Sequence, residues 1–299
     1  MSIRRIILGA SLTTLVAVVA GCGGSGSSNA GPSSVARPVA GTPVAETAAG
    51  IAPPVARGLA ARAQYAGFAR AINLRPGDVP GFIAEHKKPK RFHLHNKAFE
   101  NDGSQYRRCF AFGTQGKPLP KVSSDKFARG GGLHSASVSS EVEIAPTIAR
   151  AQRELAAARR ILLDPSTRGC LTRAFDGLGS QNQAIQLGKG RVRGSMRIAV
   201  GNLHITPLAL GSMTRGTDGA VGSSVAMTVT YTVSARGRTL TVPTSLHFDE
   251  LAVLLGRGEV TLATVTLGDS FPPELEARLF SLLVSRALSA SQVYPTIEK

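Results

Sequence analysis

The 299-residue chain has no tryptophan and only four tyrosines. A platform for stacking bases or sugars is therefore poorly supplied. Acidic residues are scarce, 19 Asp and Glu against 35 Lys and Arg, a formal net charge of +16. Such a chain is attracted to anionic surfaces. Cysteines number three, and no C-x-x-C occurs, which disfavours a redox-active dithiol. No Walker loop, G-x-S-x-G elbow on a plausible strand or H-E-x-x-H is present, and Gly188-x-Gly190 lacks the third glycine of a dinucleotide fingerprint. These absences leave no catalytic motif.

What is there begins at the N-terminus. Arg4 and Arg5 precede a mostly apolar run, Ile6 to Ala20, too short to span a bilayer comfortably. Val19-Ala20-Gly21-Cys22 follows, with small residues before the cysteine as a signal peptidase requires. The segment resembles a bacterial lipoprotein signal. That resemblance implies cleavage before Cys22, lipidation of Cys22, and a protein tethered to the cell membrane on its extracytoplasmic side. An ordinary secretory signal with an incidental cysteine is the alternative. An exported basic chain meets anionic headgroups and envelope polymers before it meets nucleic acid, so no nucleic-acid partner is expected.

Lipidation of Cys22 would leave Cys109 and Cys170. Two cysteines in an exported protein are expected to pair, with two buried free thiols as the alternative. The bridge would close a loop of roughly 60 residues, worth about 4 kcal/mol by chain entropy.

Three regions are predicted: a signal peptide over 1–21, a flexible tether over 22–58 and a single folded domain over 59–299. The tether is Gly, Ser, Ala, Pro and Val with almost no charge, and its root-mean-square reach would be roughly 30 Å. Within the domain, Leu59 to Ile72 is predicted helical, and Phe99 to Phe112 more weakly so. Ser137 to Ile144 alternates as a half-buried strand. Ile148, Ala151, Leu155, Ala158 and Leu162 form the apolar stripe of a helix to Leu163. A second helix resumes from Cys170. Four strands then follow, over Met196–Leu210, Val221–Ala235, Thr239–Leu255 and Glu259–Leu267. The turns at Arg236-Gly237 and Gly256-Arg257-Gly258 are short, which implies antiparallel hairpins. A closing helix runs from Pro273 to Leu288. The expected class is α+β: a twisted antiparallel sheet with flanking helices laid on one face.

Several of these residues carry a family likeness. Ala71-Ile72-Asn73-Leu74 with Asp78-Val79-Pro80-Gly81-Phe82, then Val138-Ser139-Ser140-Glu141-Val142, a Pro-initiated helix and Cys170, and finally Leu254 to Leu262, together resemble the mycobacterial lipoproteins and kinase extracellular sensor domains of the PknH sensor and LpqN type. The resemblance covers most of residues 70 to 290. It implies a twisted antiparallel sheet akin to PsbP and Mog1-like folds, and a ligand- or partner-binding module of the cell envelope. It carries over no catalytic residue.

Candidate sites are few. His86-Lys87-Lys88-Pro89-Lys90-Arg91 is the densest basic run, with Arg107, Arg108, Lys117 and Lys121 later. Lys87, Lys88, Lys90 and Arg91 could hold the domain against anionic headgroups, at about 1 kcal/mol each; a solvated loop is the alternative. His93 and His95 share one face of any strand there, but a metal needs further ligands at defined geometry, so no metal and no cofactor are expected. Asp249-Glu250, Glu274 and Glu276 read as surface acids. The function expected is a non-catalytic, sensor-like domain that binds a lipid-like molecule, a glycan or an envelope protein. An envelope hydrolase, or a basic assembly factor on anionic lipid or polymer, is the alternative.

Overall fold

The computed structural model describes residues 54–85, 121–131, 133–167, 169–170, 173, 182–187, 192–235 and 237–294. The signal and tether residues 1–53, the basic run 86–91 with His93 and His95, Cys22, Cys109 and the predicted helix at Phe99–Phe112 lie outside them.

The described residues form an antiparallel sheet with three long helices. In chain order these are α1 (Pro54–Ile72), β1 (Ile83–Glu85), β2 (Lys121–Ser123), β3 (Lys126–Gly131), β4 (His134–Ile144), α2 (Ile148–Leu163), β5 (Asn182–Leu187), β6 (Val192–Pro207), β7 (Gly219–Ala235), β8 (Arg238–Leu255), β9 (Gly258–Leu267) and α3 (Pro273–Val293). The sheet order is β1-β3-β4-β9-β8-β7-β6-β5, with β2 also paired to β4. Every pairing is antiparallel. The α+β class and its antiparallel sheet with flanking helices are thus observed.

The central strands follow from their residues. β-Branched and aromatic side chains fill β7 to β9 and suit a pleated, packed surface. Gly237 (φ 74°) and Gly256 (φ 55°) sit in the two predicted hairpin turns, where a left-handed backbone favours glycine. β9 is buried along its whole length, as expected of a strand with packing on both sides.

The helices do not share one face, which corrects the sequence expectation. α1 and α3 cover one side. There Phe68 and Ile72 of α1, with Leu279, Phe280 and Leu283 of α3, pack on Val142, Leu251, Val253, Val260 and Leu262. Each such side chain contributes about 1.5–3 kcal/mol by leaving water. Tyr294 closes edge-on against Phe68, with ring centroids 6.1 Å apart. α2 lies on the other side, its Ala151 and Leu155 packed on Leu254, Ala145 and Val221. A Cβ on Gly219 would come 2.6 Å from Leu155 Cδ2, so this helix sits where only glycine lets it approach. Sequence periodicity located the stripe of α2 but carries no information about which side of the sheet it meets.

Helix ends are also set locally. The Thr147 hydroxyl accepts from the Arg150 N–H at 3.2 Å and caps α2. Arg150 and Glu154 pair at 2.9 Å one turn apart. Pro273 opens α3, with Glu274 and Glu276 in its first turn, where the helix dipole favours negative charge. α1 begins at Pro54, inside the stretch expected to be tether.

Candidate functional site

The antiparallel register assigns each polar side chain in the sheet to a face. Thr264 of β9 is opposite Asp249 of β8 and Val138 of β4, Asp249 is opposite Ser224 of β7, and Ser224 is opposite Thr206 of β6. This row lies on the side that α1 and α3 cover, since it alternates in step with Leu251 and Leu262. The next row on the same face is Ala136, Thr266, His247, Ala226 and His204. Directly opposed side chains in such a pair are about 5 Å apart at Cβ.

Glu276, in the first turn of α3, joins the first row from above. The Thr264 hydroxyl donates to Glu276 Oε1 at 2.8 Å. Burial and the neighbouring Asp249 charge push the Glu276 carboxyl up to about 7, against the pull of the Thr264 hydrogen bond. Asp249 is raised as well, by burial, although a hydrogen bond from Ser224 and the charge of His247 act the other way. Two half-buried carboxyls thus come near one another at Thr264, and the charge of Asp249 disfavours ionisation of Glu276. Asp249 Oδ1 is buried without a hydrogen-bond partner among the described residues, and so is the hydroxyl of Thr266. Thr266 is only 3% exposed, a burial that ordinarily demands a partner.

The opposite face holds a second acidic group. Glu141, Glu143, Glu250 and Glu259 all project there. Glu143 and Glu259 are directly opposed, an arrangement that like charges disfavour. Glu141 accepts from Lys121 Nζ at 2.9 Å and from Ser123 Oγ at 2.8 Å. Glu250 is 4% exposed, and neither of its oxygens has a partner among the described residues. Burial, then the charges of Glu259 and Glu141, raise its carboxyl well above the ordinary value. Glu259 is pushed up to about 8 by burial and by Glu143.

Asp249-Glu250 is therefore not the pair of surface acids the sequence suggested. Alternation sends the two side chains to opposite faces, one half-buried and one buried. Glu274 is exposed, as expected, but Glu276 two residues on is not. No local signal marked Glu250 or Glu259 as buried, since Asp249 precedes the one and Arg257-Gly258 the other. Of the other predicted site residues, Cys170 is described as half-buried in a short helical stretch. Its expected partner Cys109, the lipidation residue Cys22, and Lys87, Lys88, Lys90 and Arg91 are outside the described residues. Among the described residues no group of three His, Cys, Asp or Glu could hold a metal ion, and no helix is long and apolar enough to cross a membrane.

No family model matches the chain, and no curated protein matches it. A solved structure that is similar is the crystal structure of the extracellular domain of PknH from Mycobacterium tuberculosis, at 10% identity, covering 62% of this chain and 91% of that one with a TM-score of 0.20. It is the kind of domain that the sequence resembles, but a likeness at that score carries no argument about fold or function.

Proposed function

We propose that the chain is a lipid-anchored protein of the cell envelope whose α+β domain binds a small ligand without transforming it. The anchor rests on Val19-Ala20-Gly21-Cys22, with Cys22 as the lipidated residue. A disulfide between Cys109 and Cys170 would staple the domain, and Lys87, Lys88, Lys90 and Arg91 would lean it on anionic headgroups.

The binding role rests on one observation: Asp249 Oδ1 and the Thr266 hydroxyl are buried and unpartnered on the sheet face beside Glu276. An unmade hydrogen bond at a buried polar atom costs about 1–3 kcal/mol, and a bound molecule that supplies the partner recovers it. Ligands commonly seat between packed layers, where a few convergent polar groups fix their orientation.

Native mass spectrometry of the full chain extracted from its own membrane tests the reading. The wild-type chain should carry a diacylglyceryl mass that Cys22→Ala lacks, together with a retained small molecule that the Asp249→Asn/Glu276→Gln variant loses. A retained molecule that survives in that double variant would move the site elsewhere.

A further inference from the structure

We infer that the ligand of the Asp249–Glu276 cleft is an organic cation, held by a primary ammonium group between the two carboxylates. The inference rests on the binding role proposed above and adds the chemical class.

The charged groups around the cleft carry the argument. On the face that α1 and α3 cover lie Asp249 and His247 of β8, His204 of β6, Arg129 of β3 and His134 at the β3–β4 edge, and α3 brings Glu274, Glu276 and Arg278. The arginines are engaged elsewhere. Arg129 stacks over the Phe82 ring, 5.0 Å from its centroid. Arg278 donates to the Asp78 carbonyl at 3.5 Å. Arg286, two turns further along α3, holds the Asp78 carboxylate with both terminal nitrogens, at 2.6 and 2.7 Å. In a chain of net charge +16, the half-buried acids of this cleft have no lysine or arginine ion pair among the described residues. A carboxylate pair removed from water keeps a proton or takes up a cation.

The acceptors also fit an ammonium. Ser224 and Thr264 each occupy one side of the pair. Asp249 Oδ1, the second oxygen of Glu276 and the unpartnered Thr266 hydroxyl remain, which is three acceptors for the three donors of an ammonium. A metal ion suits the place less well, because among the described residues no third ligating side chain joins the two acids. An anion is repelled by both. Binding therefore exchanges the proton that the pair retains for the cation, and the proton leaves to solvent.

The test uses the full chain in detergent with 1,5-diaminopentane and, as the uncharged analogue, 1,5-pentanediol. The readouts are the carboxyl 13C resonance of Glu276, assigned by its loss in Glu276→Gln, and calorimetry in two buffers of different ionisation enthalpy. The diamine should lower the pH at which Glu276 titrates and release protons at pH 7, and the diol should do neither. Thr266→Val should weaken diamine binding three- to ten-fold. Asp249→Asn/Glu276→Gln should weaken it more than ten-fold, while Asp164→Asn, an exposed acid at the end of α2 on the other side of the sheet, should leave it unchanged. Neutral isosteres relieve repulsion, so the double variant should keep its wild-type circular dichroism.

Equal effects of diol and diamine, or diamine binding that persists in the double variant, would overturn the cation assignment. A neutral or anionic molecule retained from the membrane and lost in the double variant would overturn the ligand class alone and keep the binding role. No retained molecule together with no probe binding would overturn both.

Discussion

Asp78 and Glu250 are both acids held away from water, and the fold treats them in opposite ways. Asp78 lies in the turn after α1, where Arg286 of α3 grips it with two nitrogens and the Arg75 N–H donates at 2.7 Å. Burial alone would raise its carboxyl, but the Arg286 bonds and the Arg75 N–H outweigh that and hold it below the ordinary value. Glu250 lies across the sheet. Burial raises it, other glutamates raise it further, and no donor reaches it. What separates the two is the reach of a guanidinium. A structural acid in this domain has its cation supplied by the fold. A buried acid without one, Glu250, has its carboxyl raised instead.

The sharpest way to test that contrast is pH. Glu259 at about 8 and Glu276 at about 7 are raised above the ordinary value of 4.5, and Glu250 is raised too. For a raised acid the folded state binds more protons than the unfolded state. Stability from these groups is therefore fully present below pH 4.5 and is lost as pH rises through 7 to 8. Each such proton contributes a slope of about 1.4 kcal/mol per pH unit within its window. Urea unfolding should show a loss of several kcal/mol between pH 5 and pH 8, of which Glu259 alone accounts for on the order of 3 kcal/mol. Asp78 acts in the other sense, since its depressed carboxyl costs stability only as pH falls below 3.8. A domain equally stable at pH 5 and pH 8 would break the comparison on the Glu250 side.

Removing the guanidinium tests the Asp78 side. Arg286→Ala should cost about 2 kcal/mol at pH 7, because it strands a mostly buried carboxylate, and it also removes the bond to the Asn73 carbonyl. Arg286→Lys should recover only part, since an ammonium cannot match the fork. The check is the urea midpoint at constant slope.

Glu250→Gln should have the opposite sign. At pH 8 it should stabilise the domain by about 1 kcal/mol, and at pH 5 the change should shrink toward zero, because only ionisation of the native side chain is costly there. A loss at pH 8 would mean that the Glu250 carboxylate is paired. The smallest expected effect belongs to Thr264→Val, at about 0.5–1 kcal/mol. It removes the donor to Glu276 and should move that carboxyl further up, which the Glu276 13C resonance reports directly.

Much of the fold was legible in the sequence. The stripe of α2 placed that helix at its observed bounds, Ile148 to Leu163, because helical spacing acts locally. The glycines of the two hairpin turns marked the boundaries of β7, β8 and β9 for the same reason. Other features depend on separations that no local pattern encodes. The Ser140 hydroxyl donates to Asn73 Oδ1, and Asn73 Nδ2 donates to the Val122 carbonyl. This buried chain of bonds joins α1 to two strands 49 and 67 residues away. The candidate site was illegible for a related reason. Glu276 is ordinary for a first helical turn, and Asp249 becomes distinctive only when Thr264 and α3 are brought over it. Adjacency of Asp249 and Glu250 suggested a shared surface that strand alternation forbids.

Strand β9 is buried from end to end. Its hydrophobicity therefore cannot tell one alignment with β8 from the alignment one residue away, since both would be equally greasy. The discrimination falls to the tight turn at Gly256 and Arg257, pinned where the Gly256 N–H donates to Asp218 Oδ2 at 2.5 Å. A slip there would turn Val260 and Leu262 away from α3 and send Glu259 and Thr261 in their place. The hairpin corner thus acts as an alignment key. It carries positional information that the strand it precedes does not contain, and an error at this corner would exchange the chemistry of the two faces without changing how much of the strand is buried.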